Sequence, residues 1–306
     1  MKTKHRLASL VLSILIIGLI SAHADTIQPM YTTIVNNLPG GGLEMINLSD
    51  GKLYFQAGDS VYGYEPDQSD PFHAEYANPD KGLKFAFILG DDLYYNLWEQ
   101  ATLTPVNSLL GQDEISLFPA LVQNKALSSV QPFIQSTYEG KALTFMAAAV
   151  SRQNGDLFFL CRLDIDTGDF KYIQVDELKS FTNTKNGNTV YFNKAADSHG
   201  TLSILVNELE WNTMKSNLIG TLPFSASGTV YLESSESVVY IDDKKVMMKS
   251  ADQPAELLID IGDILNDPLA WPDQRGFILQ GTYYIAPIIV GENQQIIQMN
   301  LNDLGR

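Results

Sequence analysis

Short runs of alternating hydrophobic and polar residues, separated by turn dipeptides, recur along most of this chain. Residues 50–55 and 186–192 show the recurring unit, an Asp-Gly or Asn-Gly pair followed by β-branched and aromatic residues. Both dipeptides suit tight hairpin turns, whose two central residues need positive φ, and the residues that follow favour strands. Helical periodicity is confined to one short candidate, residues 257–265. The pattern therefore predicts an all-β chain built from hairpins.

The recurring unit returns at intervals that are typical of one fold class. Leu53 and Leu93 are 40 residues apart, as are Val190 and Val230, and the other intervals are near 50. A strand that enters an acidic turn, and a further strand that leaves it, follow the hairpin. Each unit therefore reads as four antiparallel strands, A to D, in about 40–50 residues, which is the size of a propeller blade.

The units predict a six-bladed β-propeller of four-stranded antiparallel blades. Seven blades remain the alternative, because residues 103–130 are irregular. Residues 31–37 form a strand with no blade of its own, whereas the last blade ends before its outer strand. Pairing of these two would close the ring and cover an open sheet edge. The predicted blades span residues 38–76, 77–126, 127–176, 177–222, 223–266 and 267–306.

These blade-level motifs resemble the TolB-like group of secreted bacterial six-bladed propellers. The resemblance extends over the mature chain. The Trp-Asp of WD40 blades, the double-glycine signature of kelch blades and the Tyr-Trp-Thr-Asp of receptor propellers are missing from the sequence. The resemblance implies that a ligand or partner binds on one propeller face, and it transfers no functional residue to this sequence.

Residues 1–24 have the three parts of a secretory signal peptide. A basic stretch (residues 2–6) precedes an apolar run (residues 7–20), and small residues ending at Ala24 follow. The apolar run has 14 residues, fewer than the roughly 20 that a membrane-spanning helix needs. We therefore expect cleavage after Ala24, which leaves residues 25–306 as a single propeller domain, secreted or periplasmic and without a membrane span.

The charge of the chain narrows the choice of partners. The sequence has 20 Lys and Arg residues against 36 Asp and Glu residues, a net charge of −16. Cleavage would remove three basic residues and raise the deficit to −19. Such a surface repels phosphate backbones and anionic lipid, so nucleic acid and bare membrane are poor partners. We expect a soluble monomer.

One cysteine, Cys161, is present, so an intramolecular disulfide is excluded and a large core must stabilise the fold. Residues 158–163 around it form an apolar strand pattern. This context predicts a buried, inert thiol rather than a nucleophile.

Several short motifs have both a chemical and a structural interpretation, and the structural one is favoured in each. Residues 58–60 match an esterase nucleophile block, but the α/β fold and the late Asp-x-x-His of those enzymes are missing, so a B–C turn is favoured. Residues 164–169 alternate carboxylates like a calcium loop, yet a strand-connecting turn selects the same residues. Residues 40–42 form a glycine run without the helix or Lys-Ser/Thr of a phosphate loop. Asn47 begins a glycosylation sequon, relevant only in a eukaryote.

A metal centre and a cofactor are not expected. Two histidines, His73 and His199, remain after cleavage, and neither has a histidine or cysteine partner at ligand spacing. We interpret both as surface residues.

Geometry points to one propeller face as the candidate site. The B–C and D–A connections gather around one mouth of the central channel, where ligands usually bind. Two tryptophans among charged residues there would suit a sugar or a peptide, because indoles stack and charges orient the ligand. The alternative is that the tryptophans pack between blades. The predicted ligand-binding residues are Trp98, Glu99, Arg152, His199, Trp271, Asp273 and Arg275.

Two functional hypotheses follow. The favoured one is an exported, non-enzymatic module that binds a small molecule, a glycan or a protein, because the sequence contains no recognisable nucleophile–base pair, metal cluster or cofactor loop. The alternative is a carbohydrate-active enzyme, a glycoside hydrolase or lyase. Glu99 and Asp273 would then act as acid and base if they face each other within about 5–10 Å.

Overall fold

The structure, a computed structural model, is almost entirely β. The short helix α1 (Pro119–Val122) and a 3₁₀ turn (Glu233–Ser235) interrupt the strands. No helix in the described part is long and apolar enough to cross a membrane. The predicted signal peptide lies outside the described residues. The structure describes residues 32–35, 43–57, 60–64, 73–74, 85–90, 92–96, 102–105, 115–151, 155–196, 200–250, 253–262, 270–273, 275–290 and 293–302.

The first three predicted blades each contain a four-stranded antiparallel sheet. In blade 1 the strands A to D are β2 (Leu43–Ser49), β3 (Lys52–Ala57), β4 (Ser60–Tyr64) and β5 (His73–Ala74). In blade 2 they are β6 (Phe85–Leu89), β7 (Asp92–Asn96), β8 (Thr102–Pro105) and β9 (Ile115–Ser116). In blade 3 they are β10 (Leu127–Glu139), β11 (Ala142–Ser151), β12 (Gly155–Asp164) and β13 (Phe170–Val175).

The last three predicted blades repeat the arrangement, with a divided inner strand in blade 6. Blade 4 contains β14 (Leu178–Asn183), β15 (Thr189–Ala196), β16 (Leu202–Glu210) and β17 (Lys215–Leu222). Blade 5 contains β18 (Ser227–Leu232), β19 (Ser237–Asp242), β20 (Lys245–Ser250) and β21 (Glu256–Asp260). Blade 6 contains β22 (Ala270–Pro272), β23 (Phe277–Leu279), β24 (Tyr283–Val290) and β25 (Asn293–Asn300), and its outer strand is β1 (Thr32–Val35).

The pairing of β1 confirms the predicted closure by an N-terminal strand. Thr32 pairs with Gln298 and Thr33 with Ile297, antiparallel, so the first described strand covers the edge of the last blade. The prediction of an all-β propeller of four-stranded antiparallel blades is confirmed. Six as the total number of blades, with seven as the alternative, stays a prediction.

The helical candidate at residues 257–265 is wrong for the part that the structure describes. Residues 256–260 form β21, which pairs with β20. Leu257 is exposed, whereas Leu258 and Ile259 pack against the core between blades 5 and 6. An available strand edge therefore outweighed a weak local periodicity.

The turn dipeptides act as predicted in the first hairpin. Asp50 and Gly51 both have positive φ, 45° and 84°, and they connect β2 to β3. This is the geometry that matches the right-handed twist of the flanking strands.

The core consists of six clusters of buried apolar side chains, each shared by two neighbouring blades. The cluster between blades 2 and 3 includes Cys161, which is fully buried, and burial raises the pKa of its thiol well above the usual value. The predicted burial of this cysteine is confirmed. Paired members of the six clusters, from the blade 1–2 contact round to the blade 6–1 contact, are Tyr54 and Ile88, Phe87 and Phe145, Leu160 and Phe181, Val206 and Val238, Val239 and Tyr284, and Ile285 and Ile46.

Two inner strands pair with each other inside the ring. Strands β2 and β10 run parallel, with Ile46 opposite Gln135 and Ser49 opposite Tyr138. The amide of Asn47 donates to the Ser136 hydroxyl at 2.6 Å, and Asn47 is 2 % exposed, so its glycosylation sequon is inaccessible in the fold. Strand β6 contacts both strands. The open space among the inner strands is therefore displaced toward β14, β18 and β23.

Candidate functional site

A cavity of about 490 Å³ lies at the carboxyl ends of the inner strands, on the face that carries the A–B connections. We call it the A–B cavity. It is bordered by β2, β10, β14, β18 and β23, so five blades contribute to its wall. Most of its polar side chains come from β10 and from the A–B connections of blades 4 and 5. They are Gln135, Thr137, Glu139, Thr182, Asn183, Thr184 and Glu233.

Strand β10 presents three of these side chains because alternate residues of a strand point to one face. Gln135, Thr137 and Glu139 all border the cavity. The Gln135 amide donates to the Phe181 carbonyl at 2.9 Å and accepts from the Phe181 amide at 3.4 Å. This side chain, 1 % exposed, replaces the missing ladder between β10 and β14 and holds their spacing.

Hydroxyl groups continue this network to blade 5. The Ser180 hydroxyl lies 3.1 Å from the Thr229 carbonyl oxygen and 2.5 Å from the Thr229 hydroxyl. The Tyr231 amide donates to the Thr182 hydroxyl at 3.2 Å. Because each inner strand is bonded to the next through buried polar groups, the cavity wall is preorganised.

Glu139 is the titratable group with the most altered environment in the cavity. Burial by the surrounding protein raises the pKa of its carboxyl, although the side chain still reaches solvent at the mouth. Nearby Arg162 lowers this pKa, Asp50 raises it, and a hydrogen bond with Asn183 lowers it. A carboxyl with a raised pKa can hold a proton closer to neutral pH than a free one, as a general acid must.

A second carboxylate borders the same cavity from blade 5. Glu233 follows β18 in the A–B connection, where its carboxylate accepts from the Lys185 backbone amide at 3.0 Å. This bond links the A–B connections of blades 4 and 5. Glu233 also raises the pKa of Glu139 slightly, so the two carboxylates share one electrostatic environment.

Two of the residues predicted from sequence meet each other rather than an open site. The guanidinium of Arg275 donates to both carboxylate oxygens of Asp273, at 2.7 and 2.6 Å, and its backbone amide donates to the same carboxylate at 2.9 Å. Both side chains are buried, 4 % and 10 % exposed. The Asp273 carbonyl also accepts from the Gly228 amide at 2.8 Å. The pair thus joins blade 6 to blade 5 at the amino-terminal ends of their inner strands.

The other predicted site residues are separated from this pair or lie outside the described residues. Trp271 is half exposed on β22, opposite Ile289 of β24. The predicted role of this face in ligand binding stays a prediction. Four of its residues lie outside the described residues: Trp98, Glu99, Arg152 and His199.

Sequence reasoning missed Glu139, Asn183 and Glu233 because it searched the opposite propeller face. Each of them stands at or directly after the end of an inner strand. The same position in three successive repeats was a usable signal. It pointed to side chains gathered around one end of the ring, since inner strands converge there.

The calcium-like segment forms the turn between β12 and β13, as the structural interpretation predicts. The Asp164 carboxylate accepts from the Thr167 amide at 2.8 Å, a bond that lowers the pKa of Asp164. Asp166 is bonded to Lys141. Within the described ranges, no group of three or more acidic, histidine or cysteine residues could hold a metal ion.

No family model matches the chain, and no curated protein matches it. Solved structures do match. A Trypanosoma rangeli sialidase in complex with 2,3-difluorosialic acid is 12 % identical, with 87 % of this chain and 54 % of that chain covered and a TM-score of 0.52. An oligogalacturonate lyase in complex with manganese is 10 % identical, with coverages of 90 % and 94 % and a TM-score of 0.51. A virginiamycin B lyase from Staphylococcus aureus is 10 % identical, with coverages of 89 % and 99 % and a TM-score of 0.48.

The chain spans about half the length of the sialidase chains that it matches. At identities this low, the likeness concerns the fold and not the activity. The sheet topology and the sialidase and oligogalacturonate lyase structures together identify this chain as a β-propeller.

Proposed function

We propose that this protein is an exported propeller of the TolB-like kind that binds a polar ligand, without catalysis, in the A–B cavity. The observation that carries the proposal is the cavity itself, whose volume of about 490 Å³ lies within the usual range of ligand pockets, about 300–1,000 Å³. Its wall combines apolar groups with a few convergent polar groups. Buried hydrogen bonds hold those groups in place before a ligand arrives, which reduces the entropy lost on binding.

The export part of the proposal rests on residues 1–24. Secreted or periplasmic material should begin at Asp25, and N-terminal sequencing checks this. Material that keeps Met1 would contradict cleavage. The expected partners are a small molecule, a glycan or a protein, with the propeller acting as a monomer.

A thermal-shift screen against glycans, peptides and divalent ions tests the binding part. A ligand at a hundred times its dissociation constant should stabilise the protein by about 2.7 kcal/mol. Glu139→Gln should reduce the shift, because Glu139 borders the cavity, whereas Trp271→Ala on β22 should leave it intact. A shift that is lost in Trp271→Ala and kept in Glu139→Gln would move the site to the face predicted from sequence.

A carbohydrate-active enzyme is a second candidate, supported by one observation. Glu139, with its raised pKa, and Glu233 border the same cavity, and paired carboxylates in different environments are what glycoside cleavage uses. Glu139 would hold the proton and Glu233 would be the ionised partner. Incubation with each stabilising glycan, followed by mass spectrometry, separates the two functions. Cleavage that is lost in both Glu139→Gln and Glu233→Gln would replace binding by catalysis.

A further inference from the structure

A groove between blades 4 and 5 continues the A–B cavity outward. It also has a volume of about 490 Å³, and both spaces are bordered by Thr184, Tyr231 and Glu233. We call it the blade 4–5 groove. Each space alone suits a small ligand. Joined through their shared residues, the two have room for an extended, oligomeric ligand.

The inner part of the groove is apolar and comes from both blades. Val206 and Leu222 of blade 4 face Val238 of blade 5, and these side chains are only 2 %, 4 % and 7 % exposed. Such a surface gains free energy when it covers aliphatic side chains of a ligand. A peptide in extended conformation sends every second side chain to one side, so it can place aliphatic groups against this surface in register.

The rim of the groove carries negative charge. Burial raises the pKa of the Tyr231 phenol, and three nearby carboxylates raise it further, so all of them act on one region. The ammonium group of Lys249, on the same groove, donates to the Thr221 carbonyl at 2.7 Å, which holds this cation against the wall. The rim therefore favours cationic groups of a ligand. The three carboxylates belong to Glu236, Glu208 and Glu233.

We propose that the A–B cavity and the blade 4–5 groove together bind an extended peptide segment in which basic and aliphatic side chains alternate. The inference rests on the proposed function and adds the class of ligand. Basic side chains meet the rim carboxylates, and aliphatic ones cover the apolar inner surface. A glycan fits less well, because Tyr231 is the only aromatic residue among the described residues of the groove and is itself half-buried; sugars stack on open aromatic faces.

Fluorescence anisotropy with two labelled peptides on the mature protein tests this inference. The first probe alternates Lys and Val over seven residues, and the second replaces each Lys by Glu. The Lys-Val peptide should bind and the Glu-Val peptide should not. Binding should weaken as salt rises from about 0.05 to 0.3 M, because salt screens the rim charges.

Substitutions at the rim separate a specific site from general attraction to an acidic protein. The double variant Glu208→Gln with Glu236→Gln should weaken binding of the Lys-Val peptide at least about tenfold, which is about 1.4 kcal/mol. Glutamine keeps an oxygen that can accept the Asn188 amide bond, now made by Glu208 at 2.8 Å. The matched control, Asp156→Asn with Asp176→Asn, removes the same charge on the opposite propeller face and should leave the affinity unchanged.

A steric variant tests the groove without a change of charge. Gly220 borders the groove, and a Cβ there would meet only Val206 atoms, at 3.9 and 4.0 Å. Gly220→Trp should occupy the groove and reduce peptide affinity at least about tenfold, whereas Gly220→Ala should bind as the parent does. Circular dichroism on both variants checks that the sheet structure is kept.

The outcomes separate this inference from the proposed function. Equal peptide affinity in the parent, the rim variant and the groove variant overturns the inference, because attraction is then general. Absence of peptide binding, together with a thermal shift from another ligand that depends on Glu139, overturns the inference and keeps the proposed function. Absence of both overturns both.

Discussion

At the residue scale, the environments of single carboxyl groups distinguish structural roles from chemical ones. The carboxylate of Asp273 accepts three hydrogen bonds from Arg275 and is buried between blades 5 and 6. Removing one partner of such a buried pair strongly destabilises a protein. Glu139, by contrast, lies at a cavity mouth in surroundings that disfavour its charge. The same residue class therefore holds the ring together in one place and remains available for a ligand in another.

The raised pKa of Glu139 predicts a pH-dependent gain of stability on substitution. The folded state binds the Glu139 proton more tightly than the unfolded state, whose pKa is near 4.5. The stability cost is therefore absent below the unfolded pKa and fully present above the folded pKa. Glu139→Gln should melt at a higher temperature than the parent at pH 7, and the difference should vanish near pH 4. Differential scanning calorimetry at both pH values measures this.

A control with the opposite sign is available in the β12–β13 turn. The Thr167 amide lowers the pKa of Asp164, so this carboxylate stabilises the fold above its unfolded pKa and loses that effect as pH falls. Asp164→Asn should melt lower than the parent at pH 7, with a difference that shrinks toward acid pH. If both variants shift melting in the same direction at pH 7, the assignment of these environments is incorrect.

At the scale of elements, the inner strands of blades 5 and 6 approach more closely than side chains allow. A Cβ on Gly276 would lie 2.2 Å from the Gly228 carbonyl oxygen and 2.7 Å from its carbon. The Tyr284 hydroxyl donates to the same carbonyl at 2.7 Å from a fully buried position. Glycine at position 276 thus sets the spacing between the two blades.

Gly276→Ala should therefore destabilise the protein by at least about 1–3 kcal/mol, the usual cost of forcing atoms into a packed interior. The urea midpoint measures the loss. Gly220→Ala is the matched control, because its nearest contact is an ordinary 3.9 Å to Val206; its effect should stay within about 0.5 kcal/mol. Equal midpoints for the two variants would show that the blades can separate without cost.

At the scale of the whole molecule, closure and asymmetry matter most. Strand β1 covers the edge of blade 6, and an apolar cluster joins that blade to blade 1. Tyr64 of β4 is also bonded to Gln298 of β25 across the same contact. The parallel pairing of β2 with β10 then divides the interior unequally. The closed ring supplies rigidity, and the unequal interior leaves the A–B cavity on one side.

Removal of the closing strand tests the contribution of closure. Deletion of residues 25–37 should lower the melting temperature by at least about 5 °C, because it exposes the β25 edge and removes its ladder. Deletion of residues 25–30 keeps β1 and is the control, which should melt as the mature chain does. Equal melting of the two deletions would remove β1 from the account of stability.

The sequence by itself determined the repeating part of this protein. Turn dipeptides and alternating strands act over a few residues, so they predicted the four-stranded blades, the N-terminal closing strand and the burial of Cys161. Only the tertiary structure decided which propeller face holds a cavity. That choice depends on pairing between β2 and β10, which are separated by a whole blade, and on the Gln135 clamp on Phe181. Such contacts join residues far apart in the chain, and local periodicity carries no record of them.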